Sequence, residues 1–244
     1  MLPKIHLIIL IMFMHTAFTK DVQAQTEEKR PVDYVNLFTG TSNSRWMLFP
    51  GPAMPFGMVK LSPDNQGQVW NGGYEYSVHS VSGFSHIHSW AMGGLSLMPT
   101  TGPIKTYPGT SDGPFGTAWT AEKQKKKKKK TEEARVGYYK VKLYDYDITV
   151  ELTATQRCGY LRFTYPESNT ANLLFDFNFI YEENAADMRG AYYRVVSDTE
   201  VEGYIKQTSS FADEYTVHFV ARFNRPFRHA QGWERDTLRK EFLY

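Results

Sequence analysis

The second half of the chain alternates apolar and polar residues with a period of two. In residues 145–152, DYDITVEL, the apolar side chains fall on one side and the acidic or hydroxyl side chains on the other. The segments 160–165, 173–179 and 214–223 repeat this pattern. A period of two places alternate residues on one side of a β-strand. No helical period separates these segments, which indicates antiparallel sheets, and a large β-sandwich is the simplest fold that buries them.

Four sets of residues are expected on the buried faces of these strands. They are Tyr146, Ile148, Val150 and Leu152; Leu161, Phe163 and Tyr165; Leu173, Phe175, Phe177 and Phe179; and Tyr215, Val217, Phe219, Ala221 and Phe223.

The earlier region, 31–114, is less periodic and is rich in Gly, Pro, Ser and Asn. It predicts short strands that carry long ordered loops, and such loops usually hold the functional site.

The N-terminus has the three parts of a secretory signal peptide. Lys4 supplies a positive charge, residues 5–14 form an apolar stretch, and Val22-Gln23-Ala24 offers a small-residue cleavage site. The apolar stretch is too short to cross a bilayer comfortably, so no stable membrane span is expected. We predict a signal peptide over 1–24 and a secreted or periplasmic mature chain over 25–244, with an uncleaved anchor as the alternative.

Charge and cysteine content limit the possible partners. The 28 basic and 26 acidic residues leave a formal net charge of +2, so nucleic acid is not a predicted partner. The lysine run Lys125–Lys130 predicts a solvated loop, with contact to an anionic surface as the alternative. Cys158 is the single cysteine, which excludes an intrachain disulfide, and we predict a buried, inert thiol.

The segment 83–94, GFSHIHSWAMGG, concentrates residues that could carry chemistry. On a strand His86, His88 and Trp90 would point the same way. A His-x-His pair can ligate a metal, but His79 and Asp64 are the nearby candidates for further ligands.

Three other interpretations of this segment stay open. A serine hydrolase would need a Gly-x-Ser-x-Gly elbow, which the segment lacks. The histidines could instead be buried and hydrogen-bonded. Alternatively, imidazoles and an indole could bind a sugar, and Trp70 with the neighbouring Tyr74 and Tyr76 adds to that composition.

Several blocks together resemble a known family. They are VNLFTGTSNSRWMLFPGPAMPFGMVKLSPDN at 35–65, GGYEYS at 72–77, GFSHIHSW at 83–90 and the strand-rich stretch 136–166. The sequence resembles the N-terminal domain of glycoside hydrolase family 92, the calcium-dependent exo-acting α-mannosidases. The resemblance implies an all-β, large antiparallel sandwich of the galactose-mutarotase-like type, the supersandwich.

In the family this sandwich packs against a C-terminal (α/α) barrel. The resemblance implies that the catalytic acid, the base and most calcium ligands lie in that barrel. We therefore expect 25–244 to be an apparently truncated sandwich domain that lacks the barrel, has no catalytic residue or metal ligand of its own, and is inactive alone.

The resemblance also implies an inverting hydrolysis of α-mannosides such as N-glycan or mannan chains. One carboxylic acid would protonate the leaving oxygen while a carboxylate activates water. By motif position, Trp70 is expected to contact the sugar, His86 and His88 to form polar pocket walls, and Trp90 to be a further contact. The alternatives are a stand-alone carbohydrate-binding module and a metal-dependent hydrolase that uses the His-x-His pair.

Overall fold

The structure, a computed structural model, describes residues 28–42, 48–64, 72–78, 81–89, 92–104, 131–181, 187–234 and 237–239. The predicted signal peptide and the lysine run lie outside these residues. The chain divides into two units, Met1–Tyr34 and Val35–Tyr244. In the first unit, Pro31–Tyr34 form a short 3-10 helix. The Asp33 carboxylate accepts a hydrogen bond from the backbone N–H of Arg30 (2.9 Å) and stabilises this turn.

The regular elements described in the second unit are all β-strands, and every strand pairing among them is antiparallel. The strands are β1 Ser62–Asp64, β2 Gly83–Ser85, β3 Ser96–Thr101, β4 Glu133–Arg135, β5 Tyr138–Leu143, β6 Ile148–Ala154, β7 Gly159–Thr164, β8 Ala171–Asp176, β9 Met188–Ser197, β10 Glu200–Ser209, β11 Ala212–Arg222, β12 Gly232–Glu234 and β13 Thr237–Arg239. Across the described parts of the chain, no helix has the length and apolar character that a bilayer crossing requires.

These strands form four sheets. Two sheets have four strands each, in the orders β1-β2-β3-β8 and β4-β5-β6-β7. A third has the order β11-β10-β9, and β12 and β13 form a separate hairpin. The all-β, antiparallel prediction is confirmed.

The main hydrophobic core joins the two four-stranded sheets into a sandwich. Its members are Val59, Leu61, Val81, Phe84, Met98, Tyr139, Val141, Leu143, Tyr146, Ile148, Val150, Leu152 and Leu174. The predicted inward face of 145–152 is confirmed, because all four of its apolar side chains are buried. Leu161, Phe163 and Tyr165 pack against the same core, as predicted. Each fully buried side chain of this size contributes about 1.5–3 kcal/mol of transfer free energy.

Strand β8 departs from the predicted one-sided pattern. Leu174, which is not among the side chains expected to face inward, enters the sandwich core. Phe175 and Phe177 instead join an aromatic cluster with β9 and β11, where Phe175 lies 6.1 Å from the Phe219 ring and Phe177 lies 6.1 Å from the Tyr193 ring. β8 is therefore covered on both sides, and a strand covered on both sides does not need a polar face.

The prediction of a buried Cys158 is wrong. The thiol is exposed in the turn between β6 and β7. The backbone N–H of Thr155 donates to the Cys158 carbonyl (2.9 Å), and the Cys158 N–H donates to Thr155 Oγ1 (3.1 Å). These bonds close a tight turn that leaves the side chain in solvent.

A turn before β1 holds Phe56 in an unfavourable backbone conformation. The Gly57 N–H donates to the Met54 carbonyl (2.9 Å) across the turn, and Phe56 has a φ of +58°. This left-handed conformation costs a residue with a Cβ about 1–2 kcal/mol. The Phe56 side chain is fully exposed. No packing of this side chain within the described residues offsets the strain.

We expect Phe56→Asn to stabilise the protein by about 0.5–1 kcal/mol, because asparagine tolerates positive φ better than phenylalanine. Urea unfolding would measure the change. Phe211→Asn is the matched control, since Phe211 is also exposed and lies in a turn but is not among the residues with positive φ. A destabilised Phe56→Asn variant, or an equal gain in stability in the control, would contradict the inference that Phe56 is strained.

Candidate functional site

A row of polar residues crosses the sheet β1-β2-β3-β8 inside the protein. Ser62 pairs with Ser85, Ser85 with Ser96, and Ser96 with Asp176. Directly opposite residues of antiparallel strands share a face, so these four side chains lie in one row. Asp64 is two residues beyond Ser62 and belongs to the same face. The three serines and Asp64 are buried.

The Asp64 carboxylate is the centre of this row. Its Oδ1 accepts hydrogen bonds from Ser85 Oγ and from the Tyr181 hydroxyl, both at 2.9 Å. Its Oδ2 accepts a longer bond from Ser96 Oγ (3.3 Å), and His88 Nε2 lies 3.0 Å from Oδ1. Asp64 has no solvent-exposed surface. A buried carboxylate is tolerated only when such donors replace its lost hydration.

His88 is held between a backbone carbonyl and this carboxylate. Its Nδ1 lies 2.8 Å from the Lys60 carbonyl oxygen, which can only accept, so Nδ1 carries a proton. The short contact from Nε2 to Asp64 is not aligned as a hydrogen bond. The ring also packs on Phe49 (5.0 Å) and Tyr181 (5.7 Å), and only 1% of the residue is exposed.

His86 lies in a different environment from His88. Strand β2 ends at Ser85, so the two histidines follow the strand instead of sharing one of its faces. His86 Nδ1 donates to the Leu95 carbonyl (3.1 Å), and its ring packs against Gly159, where a Cβ would lie 2.7 Å from His86 Cδ2. Burial lowers the pKa of His86, and the hydrogen bond to Leu95 opposes this shift. His86 lines a wide groove that also includes residues of β7, β8 and β11.

The Asp64 cluster lies at the ends of the segment that contains Trp70. Asp64 is the last residue of β1 and directly precedes 65–71. On the other side of that segment Gly73 has a φ of +70° and passes so close that a Cβ would lie 2.8 Å from Asp64 Oδ1 and 2.5 Å from Tyr181 Cε1. Trp70 itself lies outside the described residues.

The described residues on either side of Trp90 are bonded to each other. Ser89 and Met92 exchange two backbone hydrogen bonds (3.3 and 3.1 Å) across positions 90–91. The predicted contact Trp90 lies outside the described residues, but the backbone on both sides of it is held by these bonds.

A second buried carboxylate holds the segment 72–78. Glu132 Oε1 accepts hydrogen bonds from the hydroxyls of Tyr74 (2.6 Å) and Tyr139 (2.7 Å). Burial, together with the charge of Glu132, raises the pKa of both tyrosines, so both stay protonated donors. Tyr74, which the sequence grouped with possible sugar contacts, is therefore buried with its hydroxyl directed inward.

The described residues contain no group of three or more His, Cys, Asp or Glu side chains that could hold a metal ion. Asp64 faces hydrogen-bond donors, which do not suit a cation. The buried clusters order the loop ends and expose neither a nucleophile nor a general acid.

Sequence reasoning missed Tyr181 and Glu132, and it did not identify Asp64 as a centre of hydrogen bonds. Asp64 and Tyr181 are 117 positions apart, so their contact depends on the fold. The signal available in the sequence was that Asp64 ends the segment 58–64, MVKLSPD, in which apolar residues predominate before the carboxylate.

Asp176, at the end of the polar row, has an unusual ionisation. Burial raises the pKa of Asp176 to about 6, and the charge of Asp64 adds to this increase. The backbone N–H of Asn178 donates to Asp176 Oδ1 (2.9 Å) and partly opposes the shift.

The family model and the solved structures that resemble this chain agree on one family. A model described as the glycosyl hydrolase family 92 N-terminal domain matches residues 34–242. The chain is similar to a family 92 α-mannosidase from Bacteroides thetaiotaomicron, with a TM-score of 0.70 and 30% identity, over 80% of this chain and 26% of that chain. An inverting family 92 mannosidase from the same organism shares the fold, with a TM-score of 0.53 and 17% identity over 81% of this chain and 30% of that chain.

A curated relative from Arthroderma benhamiae is described as an uncharacterized secreted glycosidase. It is 30% identical over 139 residues, which cover 56% of this chain and 17% of the relative. The chain thus spans about a quarter of the solved α-mannosidase and less of the curated relative.

We expect Asp64→Asn to destabilise the protein by about 1–3 kcal/mol, because an amide has one acceptor oxygen instead of two and places an N–H donor against either Ser96 or the hydroxyls of Ser85 and Tyr181. Chemical unfolding would measure this loss. Asp147→Asn is the matched control: Asp147 forms an exposed ion pair with Lys142, and asparagine tolerates its φ of +56°. The control should lose less than about 1 kcal/mol. Equal losses in both variants would contradict a central role for Asp64.

We expect Asp176→Asn to remove a pH-dependent penalty. An aspartate has a pKa near 3.9 in the unfolded chain, and the folded value is about 6. Between these values the folded state binds more protons, so stability falls as pH rises from about 4 to 6 and then levels off. The variant should gain up to about 2–3 kcal/mol at neutral pH and little at pH 3.5. Unfolding at both pH values would test this, and an equal change at both would contradict the raised pKa.

Proposed function

The chain belongs to glycosyl hydrolase family 92, whose N-terminal domain it contains over residues 34–242, and from this premise we propose that it forms one wall of the mannoside pocket of a secreted α-mannosidase. The similarity to a solved α-mannosidase at 30% identity supports this substrate class. The description of the curated relative as a secreted glycosidase, together with the signal-peptide pattern at 1–24, supports export.

The observation that carries the proposal is the pair of buried carboxylate clusters at the loop ends. The Asp64 and Glu132 clusters hold the described residues on both sides of 65–71, which contains Trp70. A pocket wall must hold its contacts in fixed positions, because ordering them on binding costs affinity. The two clusters hold the described loop ends in place before a ligand binds.

Each predicted contact has a distinct role in this proposal. Trp70 and Trp90 are assigned as stacking contacts for the apolar face of a mannose ring, and His86, which lines the groove, is assigned as a hydrogen-bonding contact for hydroxyls. His88 is buried and its Nδ1 donates to the Lys60 carbonyl oxygen. In the proposal it therefore supports the wall by holding the backbone at Lys60.

The bond-breaking groups belong to another part of a longer enzyme in this proposal. In an inverting mechanism an acid protonates the leaving oxygen and a base activates water, with the two carboxyl groups about 6.5–9.5 Å apart. The family resemblance assigns both groups, and most oxygen ligands for calcium, to a C-terminal (α/α) barrel. Calcium there would hold mannose hydroxyls. This chain's residues bind and orient the sugar and exclude water from one side.

We expect the 244-residue chain to bind methyl α-mannoside or α-mannan weakly and to hydrolyse neither. Calorimetry would measure binding, and release of mannose would measure hydrolysis. Trp70→Ala should weaken binding about tenfold, which corresponds to about 1.4 kcal/mol of lost stacking. Phe211→Ala, at an exposed aromatic residue in the turn after β10 that does not line the groove, is the matched control and should bind as the unmodified chain does.

Two results would contradict this function. Mannose release by the 244-residue chain would show that it carries its own acid and base. Absence of heat with every α-mannoside, or equal binding by the Trp70→Ala variant, would argue against a mannoside wall that uses Trp70.

A further inference from the structure

The Tyr181 ring lies between two glycines from different segments. It has no exposed surface. A Cβ on Gly73 would lie 2.5 Å from Tyr181 Cε1, and a Cβ on Gly93 would lie 3.2 Å from Cδ2. The first distance is impossible for a side chain, and the second requires the ring to shift. The ring thus sets how closely segments 72–78 and 92–94 approach, and glycine at both positions permits this approach.

The Tyr181 hydroxyl reaches a third segment. It lies 2.9 Å from Asp64 Oδ1, 2.9 Å from Ser85 Oγ and 3.1 Å from the Ile87 carbonyl oxygen. Its one proton is directed to Asp64, because the charged carboxylate is the strongest of these acceptors. Burial, and then the charge of Asp64, raises the pKa of Tyr181, so the hydroxyl stays a donor.

Strands β10 and β11 hold the same residues from the other side. The Tyr215 hydroxyl lies 3.0 Å from the Gly93 carbonyl oxygen and 2.8 Å from Gln207 Oε1. Gln207 Nε2 donates to the Phe179 carbonyl (3.0 Å), two residues before Tyr181. The position of the Tyr181 ring is therefore fixed by hydrogen bonds and by packing from two sheets.

We propose that Tyr181 is a positioning residue that sets segments 72–78, 86–89 and 92–94 relative to one another. In the sequence Trp70 precedes the first of these segments, and Trp90 stands between the other two. The inference rests on the proposed function, because it assigns Tyr181 the task of aligning the backbone beside the proposed sugar contacts. Tyr181 does not touch the sugar.

Tyr181→Phe, made in the full chain, removes the hydroxyl and keeps the ring. Tyr138→Phe is the matched control, because the Tyr138 hydroxyl also donates a short hydrogen bond to a carboxylate, that of Glu151 on β6 (2.7 Å), and lies outside the groove. Amide hydrogen exchange should become at least tenfold faster in 72–78 and 92–94 in Tyr181→Phe and should be unchanged there in the control. The Kd for methyl α-mannoside should rise about tenfold in Tyr181→Phe alone.

Gly93→Ala is a second variant: its added Cβ displaces the Tyr181 ring, while Tyr181 keeps its hydroxyl group. It should weaken mannoside binding in the same direction, while exchange in β5 and β6 stays unchanged. If Tyr181→Phe and Gly93→Ala both bind like the unmodified chain, or if exchange in 72–78 and 92–94 does not respond, the positioning role is overturned. If the unmodified chain binds no α-mannoside, the proposed function fails, and the exchange data alone still decide whether Tyr181 positions these segments.

Discussion

A buried carboxylate, Asp64, needs hydrogen-bond donors from several parts of the chain, and this need organises one end of the sandwich. Three hydroxyl groups and an imidazole surround it, contributed by β2, β3, the segment after β2 and the segment after β8. Because the interior cannot hydrate the charge, these groups must arrive together. The segments that carry them are thereby fixed in one arrangement.

The apolar and polar parts of the interior have different tasks. The core between the two four-stranded sheets supplies most of the burial and makes a rigid scaffold. The polar row adds little apolar burial but determines where the backbone leaves the sheet at Asp64 and Ser85. In a domain of a carbohydrate-cleaving family, a rigid sandwich with ordered loop ends is suited to holding a sugar beside the groups that cleave it.

The alternation in the sequence identified four strands, β6, β7, β8 and β11, but it did not identify the long strands β9 and β10 and was a poor guide to the site. Alternation in 145–152 and 214–223 identified β6 and β11 and their inward faces, because one side of each strand is less exposed than the other: it is buried in β6 and partly buried in β11. It failed for Leu174 and Phe175, since β8 is covered on both sides and the pattern cannot show which layer each residue meets. The expected shared face of His86 and His88 failed because β2 ends one residue earlier. Tyr181 was not found because its partners are distant in the sequence and depend on strand register.

The central claim is that the segments held by the Asp64 cluster form the sugar-facing wall. Titration of the isotope-labelled chain with methyl α-mannoside, followed by amide chemical shifts, tests it most directly. We predict that the largest changes fall in 72–78, 85–89 and 92–94, and that β5 and β6 do not respond. Changes confined to the outer face of β9–β11, or no changes at a saturating sugar concentration, would contradict the claim.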